Sequence, residues 1–472
     1  MKVLTKSLFL KGFEGDKYLW ICANKSESLP KPSLLDKEKI SQGILIGELA
    51  KKLFEGVDLK NCSEEESLKL TTELKEKKVL FEASFKYKDF FCKVDVLVPT
   101  TKGFDVIEVK SSSKIKKKHL EDLAFQKMIL EGLGMNVNNY YLMHINSKYE
   151  VVNDFELEKF FVKENVTSKI AKLDVEEKAN YMLDIINLRD CPDFIIDDYY
   201  KSDNGNFLVE DFKQSLPLRS VFNLYSIRRK KAVELYKKGH ELIDDLPSSF
   251  EFSDKQLVQL KTKEVLIQKD KLSIFLAKIK SPVIHLDFEA YQQGIPRLNK
   301  TKAYTHIPFQ YSMHIEEHDE LIHKEFLYEG KEDPRISFLE NLKKDLPKKG
   351  SVIVYYKEFE VGRLKELASV FPVYQEFIKD VIKRVVDLRD PFYNFWYYNQ
   401  RQKCSCSIKD VLKVFSDKKH SELEVSNGSD AMILYKHNKG NLSDKLKKDL
   451  LEYCKLDTLA MVIILRELRK RI

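Results

Sequence analysis

Cysteine is scarce and unpatterned: seven residues, scattered apart from Cys404 and Cys406. An odd number without paired spacing excludes a disulfide scaffold and fits a reducing compartment. Long apolar runs are missing too. The patch Ser7-Leu8-Phe9-Leu10 is broken at once by Lys11, too short for the core of a secretory signal, and no stretch approaches a membrane span. A cytoplasmic location without a membrane partner is expected by elimination. Internal repeats and low-complexity tracts are absent as well. Charge of one sign is only slightly in excess, 81 Lys and Arg against 74 Asp and Glu, for a formal net charge of +7. Any basic surface for a polyanion must therefore come from clustering. What is present is ample core material: 43% hydrophobic residues beside 33% charged ones excludes a disordered chain. At 472 residues the chain exceeds one ordinary core, so two or three domains are expected.

The most informative stretch is Val283-Ile284-His285-Leu286-Asp287-Phe288-Glu289-Ala290, an apolar run that feeds two carboxylates. On a strand Asp287 and Glu289 share a face. Two like charges so close raise each other's pKa unless a cation lies between them, and a hard divalent ion is the usual one. Two solvated acids at a strand end would read the same way.

The N-terminal half carries a second acidic pattern. Ser41–Phe54 reads as an amphipathic helix holding Glu48, and Ser63–Lys78 as a charged surface helix. Lys93–Val98 and Phe104–Lys110 read as a hairpin around Pro99–Gly103. Glu108 and Lys110 share a face of the second strand, and Asp95 on the first could reach them. Acids holding a metal, with a lysine beside it, suit phosphodiester cleavage; a surface ion pair on a hairpin is the alternative. Lys114–His119 could contact phosphates or open a solvated helix. Leu120–Gly132 reads as a helix carrying Gln126, and Tyr140–Ile145 as a strand.

Glu82-Ala83-Ser84-Phe85, Lys93-Val94-Asp95, Ile107-Glu108-Val109-Lys110-Ser111-Ser112 and Phe125-Gln126 together resemble the RecB-type branch of the PD-(D/E)XK nucleases. The resemblance implies Asp95 and Glu108 as metal ligands, Lys110 as the catalytic lysine and Gln126 as the glutamine beside the site. Gly43-Ile44-Leu45-Ile46-Gly47-Glu48 resembles the helix with the branch's first acid, which makes Glu48 a candidate. Gly47 stands where many relatives place a histidine, and Leu130 where an aromatic often follows the glutamine. Members of the branch often hold a four-cysteine iron–sulfur cluster. Gly15 stands where its early ligand would be, and Cys191–Leu216 has one cysteine, so no cluster is expected.

Val151–Asp190 reads as mainly helical. Ser220–Pro247 holds two apolar-periodic stretches around Lys237-Lys238-Gly239, which weakly resemble a helix-hairpin-helix element or form an ordinary connector. Ser253–Lys278 reads as polar and helical.

Beyond Asp287 and Glu289, Phe309–His314 and Ser351–Tyr356 read as further strands of one sheet, and Gly362–Ser369 as a helix. Glu360 lies past the end of the third strand, where an acid faces a site at the sheet edge. Val385-Val386-Asp387-Leu388 is another apolar run ending in an acid, and Ser405–Phe415 reads as a helix. Tyr453 and Asp457 share one face of a last helix. This constellation resembles the RNase H-like DEDD exonucleases of the tyrosine subclass. That resemblance implies Asp287, Glu289, Glu360 and Asp457 as ligands of two divalent metals, with Asp387 the alternative fourth ligand, and Tyr453 positioning the attacking water. Glu360 stands where aspartate is usual.

The order of motifs, from HLDFEAY through IPFQYSMHI, YYKEFE, VVDLRDPF and CSIKDVL to EYCKLDTLAMV, resembles a bacterial family catalogued as a domain of unknown function. In that family an RNase H-like half follows a RecB-like nuclease half. The expected fold is α/β: a PD-(D/E)XK restriction-endonuclease-like domain over residues 1–215, a helical connector over 216–278, and an RNase H-like mixed-sheet domain over 279–472. The expected function is a Mg²⁺- or Mn²⁺-dependent nuclease with up to two active sites, a DNA exonuclease in repair or defence. DNA is favoured over RNA as partner. A non-catalytic nucleic-acid-binding protein with decayed nuclease folds, and an RNA-processing ribonuclease, are the rivals.

Overall fold

The computed structural model describes residues 2–201, 206–318, 320–416 and 427–472. Residues 202–205, inside the Cys191–Leu216 stretch, lie outside the described residues. The protein is mixed α/β. It divides into two compact units: Met1–Ser215 with Gln293–Tyr304, and Leu216–Gln292 with Thr305–Ile472. Among the described residues no helix is long and apolar enough to cross a membrane.

The first unit is built on one sheet. Its strands are β1 (Leu4–Thr5), β2 (Gly56–Asp58), β3 (Val79–Tyr87), β4 (Phe90–Thr100), β5 (Gly103–Lys110), β6 (Val137–Ile145) and β7 (Phe161–Asn165), in the order β2-β3-β4-β5-β6-β7 with β1 against β4. β3, β4 and β5 run antiparallel, while β6 is parallel to β5 and reached through the helix Lys117–Gly132. Alternation on β5 sends Phe104 and Val106 into one core and Ile107 into another. The first core packs Leu123, Phe125 and Ile129 of the Lys117–Gly132 helix, with Phe125 stacked on Phe9 at 4.5 Å. The second packs Ile46 and Ala50 against Phe81 and Val96.

Several local expectations change. The helix that carries Glu48 starts earlier, at Leu34, because Ser33 caps it by accepting from the Asp36 amide. Val151–Asp190 is helical over half its length, in Leu157–Phe160, Thr167–Ile170 and Glu176–Asn187. It contains the edge strand β7, whose alternating exposure against β6 is a two-residue period amid charged residues. Gln293–Tyr304 joins this unit through backbone pairing of Val151 with Lys300 and Thr301.

The second unit holds β8 (Val265–Ile267), β9 (Val283–Tyr291), β10 (Ile307–Glu317), β11 (Glu320–Leu327), β12 (Ser351–Val354), β13 (Val385–Asp387) and β14 (Tyr397–Asn399). Five form a sheet in the order β11-β10-β9-β12-β13, antiparallel on one side of β9 and parallel on the other. β9 is buried on both faces, as befits a central strand. Ile284, Leu286 and Phe288 pack with Phe338, Leu339 and Leu364. Val283, on the opposite face, packs with Met461, Ile464 and Leu465 of the final helix, Asp444–Arg469. Ser443 caps that helix, and its buried residues recur at three- and four-residue spacing.

Residues 216–278 group with this unit and pair into it through β8 against β14. Within Ser220–Pro247 there is one α-helix, Arg229–Lys237, followed by a single 3-10 turn, so a hairpin of two α-helices is not formed. Helix Lys357–Val370 starts earlier than its apolar period suggests, and Glu360 lies in its first turn.

Candidate metal centre

On β9 Asp287 and Glu289 project to the face covered by the final helix. Register sets them opposite Ser312 and Gln310 of β10. The final helix contributes Tyr453 and Asp457 from one face, as their spacing requires. One carboxylate oxygen from each of Asp287, Glu289 and Asp457 can be chosen so that all three lie within 4.8 Å of one another. Glu289 and Asp457 are buried and Asp287 half-buried. The Tyr453 hydroxyl hydrogen-bonds Asp457, and the Cys454 thiol donates to Asp287 Oδ2 at 3.5 Å.

Glu360 stands beside this trio and is 2% exposed, with no hydrogen bond to its Oε2. Burial first, then repulsion from Asp287, holds its carboxyl well above the usual range. Burial and Asp457 push Asp287 up to about 8. Glu289 is pushed well up by burial and by Asp287, Asp457 and Glu360. Lys409, from the helix Ile408–Phe415, opposes this, and its Nζ lies 5.4 Å from the centre of the Tyr453 ring. The cluster thus gathers more carboxyl groups than its own cations could balance once ionised, and its donors are carboxylate oxygens. That set fits a hard divalent cation.

Asp387 is not in the trio. Its Oδ1 accepts from the amides of Tyr356 at 3.0 Å and Arg389 at 2.9 Å, and its Oδ2 from that of Lys357 at 3.0 Å. It caps the helix that carries Glu360 and holds Tyr356 in a left-handed conformation, φ 75°.

In the first unit the structure gathers Asp95, Glu108, Lys110 and Gln126. The β4–β5 pairing ends at Val96 and Ile107, and Asp95 Oδ2 takes over as acceptor for the Val109 amide at 2.7 Å. Glu108 is 2% exposed. Its Oε1 accepts from Lys110 at 2.7 Å and its Oε2 from Gln126 at 2.7 Å. Lys6 Nζ lies 3.1 and 3.2 Å from the same two oxygens and 3.6 Å from Asp95 Oδ1. Lys110 also donates to Asp122 Oδ2 at 2.5 Å. Burial would raise the Glu108 pKa, but Lys110 and Lys6 hold it far below the ordinary value. Asp95, pushed by burial and by Glu108, rises to about 7. Glu48 lines a cavity of about 210 Å³ together with Asp95, but its carboxylate is tied to Lys51 at 3.2 Å and Lys60 at 2.9 Å. Burial and Glu108 also push Asp122 up.

Sequence reasoning missed Lys6, Asp122 and Lys409. Asp122 had a signal, since it precedes Gln126 by one helical turn and accepts from it at 3.2 Å. Lys6 and Lys409 had none, because neither falls within a spacing that a local element imposes.

No curated protein matches the chain. Residues 284–407 match a family described as Domain of unknown function (DUF2779), a segment that contains Asp287, Glu289, Glu360 and Asp387 and ends before Tyr453 and Asp457.

Proposed function

We propose that the second unit is a metal-dependent nuclease centre that hydrolyses phosphodiester bonds, as an exonuclease acting on DNA in repair or defence. One observation carries this reading: Asp287, Glu289 and Asp457 converge within 4.8 Å although one of them lies far along the chain. The strand order β11-β10-β9-β12-β13 supports an RNase H-like fold for this unit. The β3-β4-β5 meander, with a helical crossover to a parallel β6, supports a PD-(D/E)XK-like fold for the first unit.

Asp287, Glu289 and Asp457, with Glu360 beside them, would hold Mg²⁺ or Mn²⁺. Such an ion supplies positive charge against phosphoryl oxygens and favours ionisation of an attacking water. Tyr453 stays protonated, because burial and then Asp457 raise its pKa. Its hydroxyl can therefore orient the water, whose oxygen bonds to phosphorus as the phosphorus–oxygen ester bond breaks. The attacking water gives up a proton to solvent, and the departing oxygen takes one from it. Lys409 is placed to offset phosphate charge.

The test uses labelled single- and double-stranded DNA and RNA with purified protein, in Mn²⁺ and in chelator. Mn²⁺-dependent degradation lost in Asp287→Ala is expected. Intact substrate with retained binding would overturn the reading in favour of a binding protein, and sharp products from RNA alone would favour an RNA-processing enzyme.

A further inference from the structure

The two acidic sites differ in what balances their charge. In the second unit the trio and Glu360 face Lys409. In the first unit Asp95, Glu108 and Asp122 face two ammonium groups, Lys6 and Lys110. A carboxylate offers about four acceptor positions, two on each oxygen. Those of Glu108 are taken: Oε1 by Lys6 and Lys110, Oε2 by Lys6 and Gln126. Lys6 also faces Asp95, so its nitrogen lies between the two acids that would hold a divalent ion.

Lys6 is held there by the fold. Its neighbours Leu4 and Thr5 pair with Phe90 and Phe91 of β4. Thr5 caps the helix Lys6–Gly12, and Phe9 of that helix stacks on Phe125. The lysine side chain is 20% exposed, so its charge is only partly screened.

We propose that Lys6 is the resident cation of the first unit: its ammonium takes the position between Asp95 and Glu108 that a divalent ion would occupy, and this acid pair holds no divalent ion of its own. Assigning the metal-dependent chemistry to the second unit rests on the reading above. The occupancy of the first site does not, and metal uptake reports it independently of cleavage.

The experiment starts from the full chain carrying Asp287→Asn and Glu289→Gln, which disables the second unit's trio. Mn²⁺ uptake is followed by calorimetry and by electron paramagnetic resonance, with near-ultraviolet circular dichroism as the check on folding. With Lys6 present no tight Mn²⁺ site is expected. Adding Lys6→Met should create one Mn²⁺ site per chain, tighter by on the order of 10²-fold, the scale expected for removing a unit charge at close range in a partly buried site. Adding Glu108→Gln should abolish it. Lys6→Gln provides the same loss of charge if the methionine variant does not fold.

A Mn²⁺ ion bound with Lys6 in place and lost on Glu108→Gln overturns the proposal. So does the absence of any new site in a folded chain lacking the Lys6 charge. Loss of nuclease activity in Asp287→Ala speaks only to the second unit, so the two proposals fail separately.

Discussion

The thiol of Cys454 lies 3.5 Å from Oδ2 of Asp287, a residue 167 positions away in the sequence. It marks where the final helix meets the central strand, and its hydrogen bond opposes the upward push that burial and Asp457 exert on Asp287. Cys454→Ala is expected to keep the fold and weaken Mn²⁺ affinity at neutral pH by about fivefold, the worth of one hydrogen bond near 1 kcal/mol. Isothermal titration checks this; unchanged affinity would mean the thiol only fills space.

Asp287→Ala and Asp457→Ala should each lower the rate of cleavage on the order of 10³-fold, since a metal ion contributes several kcal/mol to such reactions. Tyr453→Phe should separate binding from turnover. Mn²⁺ affinity stays within a few fold, while kcat falls by about 10²-fold, as for loss of a group that positions the attacking water. Equal loss of both would place Tyr453 in the scaffold instead.

Metal affinity should depend on pH with a definite sign. Asp287 has a pKa of about 8 in the metal-free chain, so near neutrality its proton must leave before a cation can bind. Affinity for Mn²⁺ should therefore rise with pH through about 8, the more so because burial and its acidic neighbours also hold Glu289 protonated. Stability in chelator runs the other way. The folded pKa of Asp287 is raised above its unfolded value, so its contribution is fully present below about 4 and lost as pH rises through 8. Asp287→Asn should raise the chelated chain's melting temperature at pH 8 by a few degrees and leave it nearly unchanged at pH 4.

Asp387 is expected to act through the backbone. Asp387→Ala removes the acceptor for two amides at the start of helix Lys357–Val370, those of Tyr356 and Lys357, and for the amide of Arg389. A loss of about 3 kcal/mol in unfolding free energy is expected, at the upper end for hydrogen bonds to a charged group. Mn²⁺ binding by the folded fraction should persist, and urea titration with calorimetry measures both quantities.

The first unit should carry the salt-sensitive grip on nucleic acid. Lys116, Lys117 and Lys118 open the helix Lys117–Gly132, whose first turn has no acid, and they line a cleft of about 1000 Å³ with Lys110. Cations are unfavourable at a helix N-terminus, which makes an anionic ligand a natural complement. Replacing all three with alanine should weaken single-stranded DNA binding. The logarithmic salt slope should fall by about 0.7 for each phosphate that the variant no longer neutralises. An unchanged slope would move the binding surface elsewhere.

Local patterns carried the parts of the site that one element fixes. The two-residue period of a strand put Asp287 with Glu289 and Glu108 with Lys110, and the helical turn put Tyr453 with Asp457. The stretches that form β4, β5, β6, β9, β10 and β12 were visible for the same reason, since their apolar pattern is written into the residues themselves. In contrast, β3 was not read as a strand, and β8 lies inside Ser253–Lys278, which reads as helical. β7 and β11 were not recognised, since both have exposed or half-buried faces on which charged residues replace the apolar signal.

Tertiary structure alone decided which charges meet. Lys6 reaches Glu108 across 102 residues, and Asp387 spends its carboxylate on a helix start instead of joining the trio. A sequence specifies the type and spacing of its charged groups, but an ion pair or a cap is selected by where packing of the apolar faces brings them. That packing separates a cluster of mutually opposed carboxyl groups from one in which lysines already supply most of the balance.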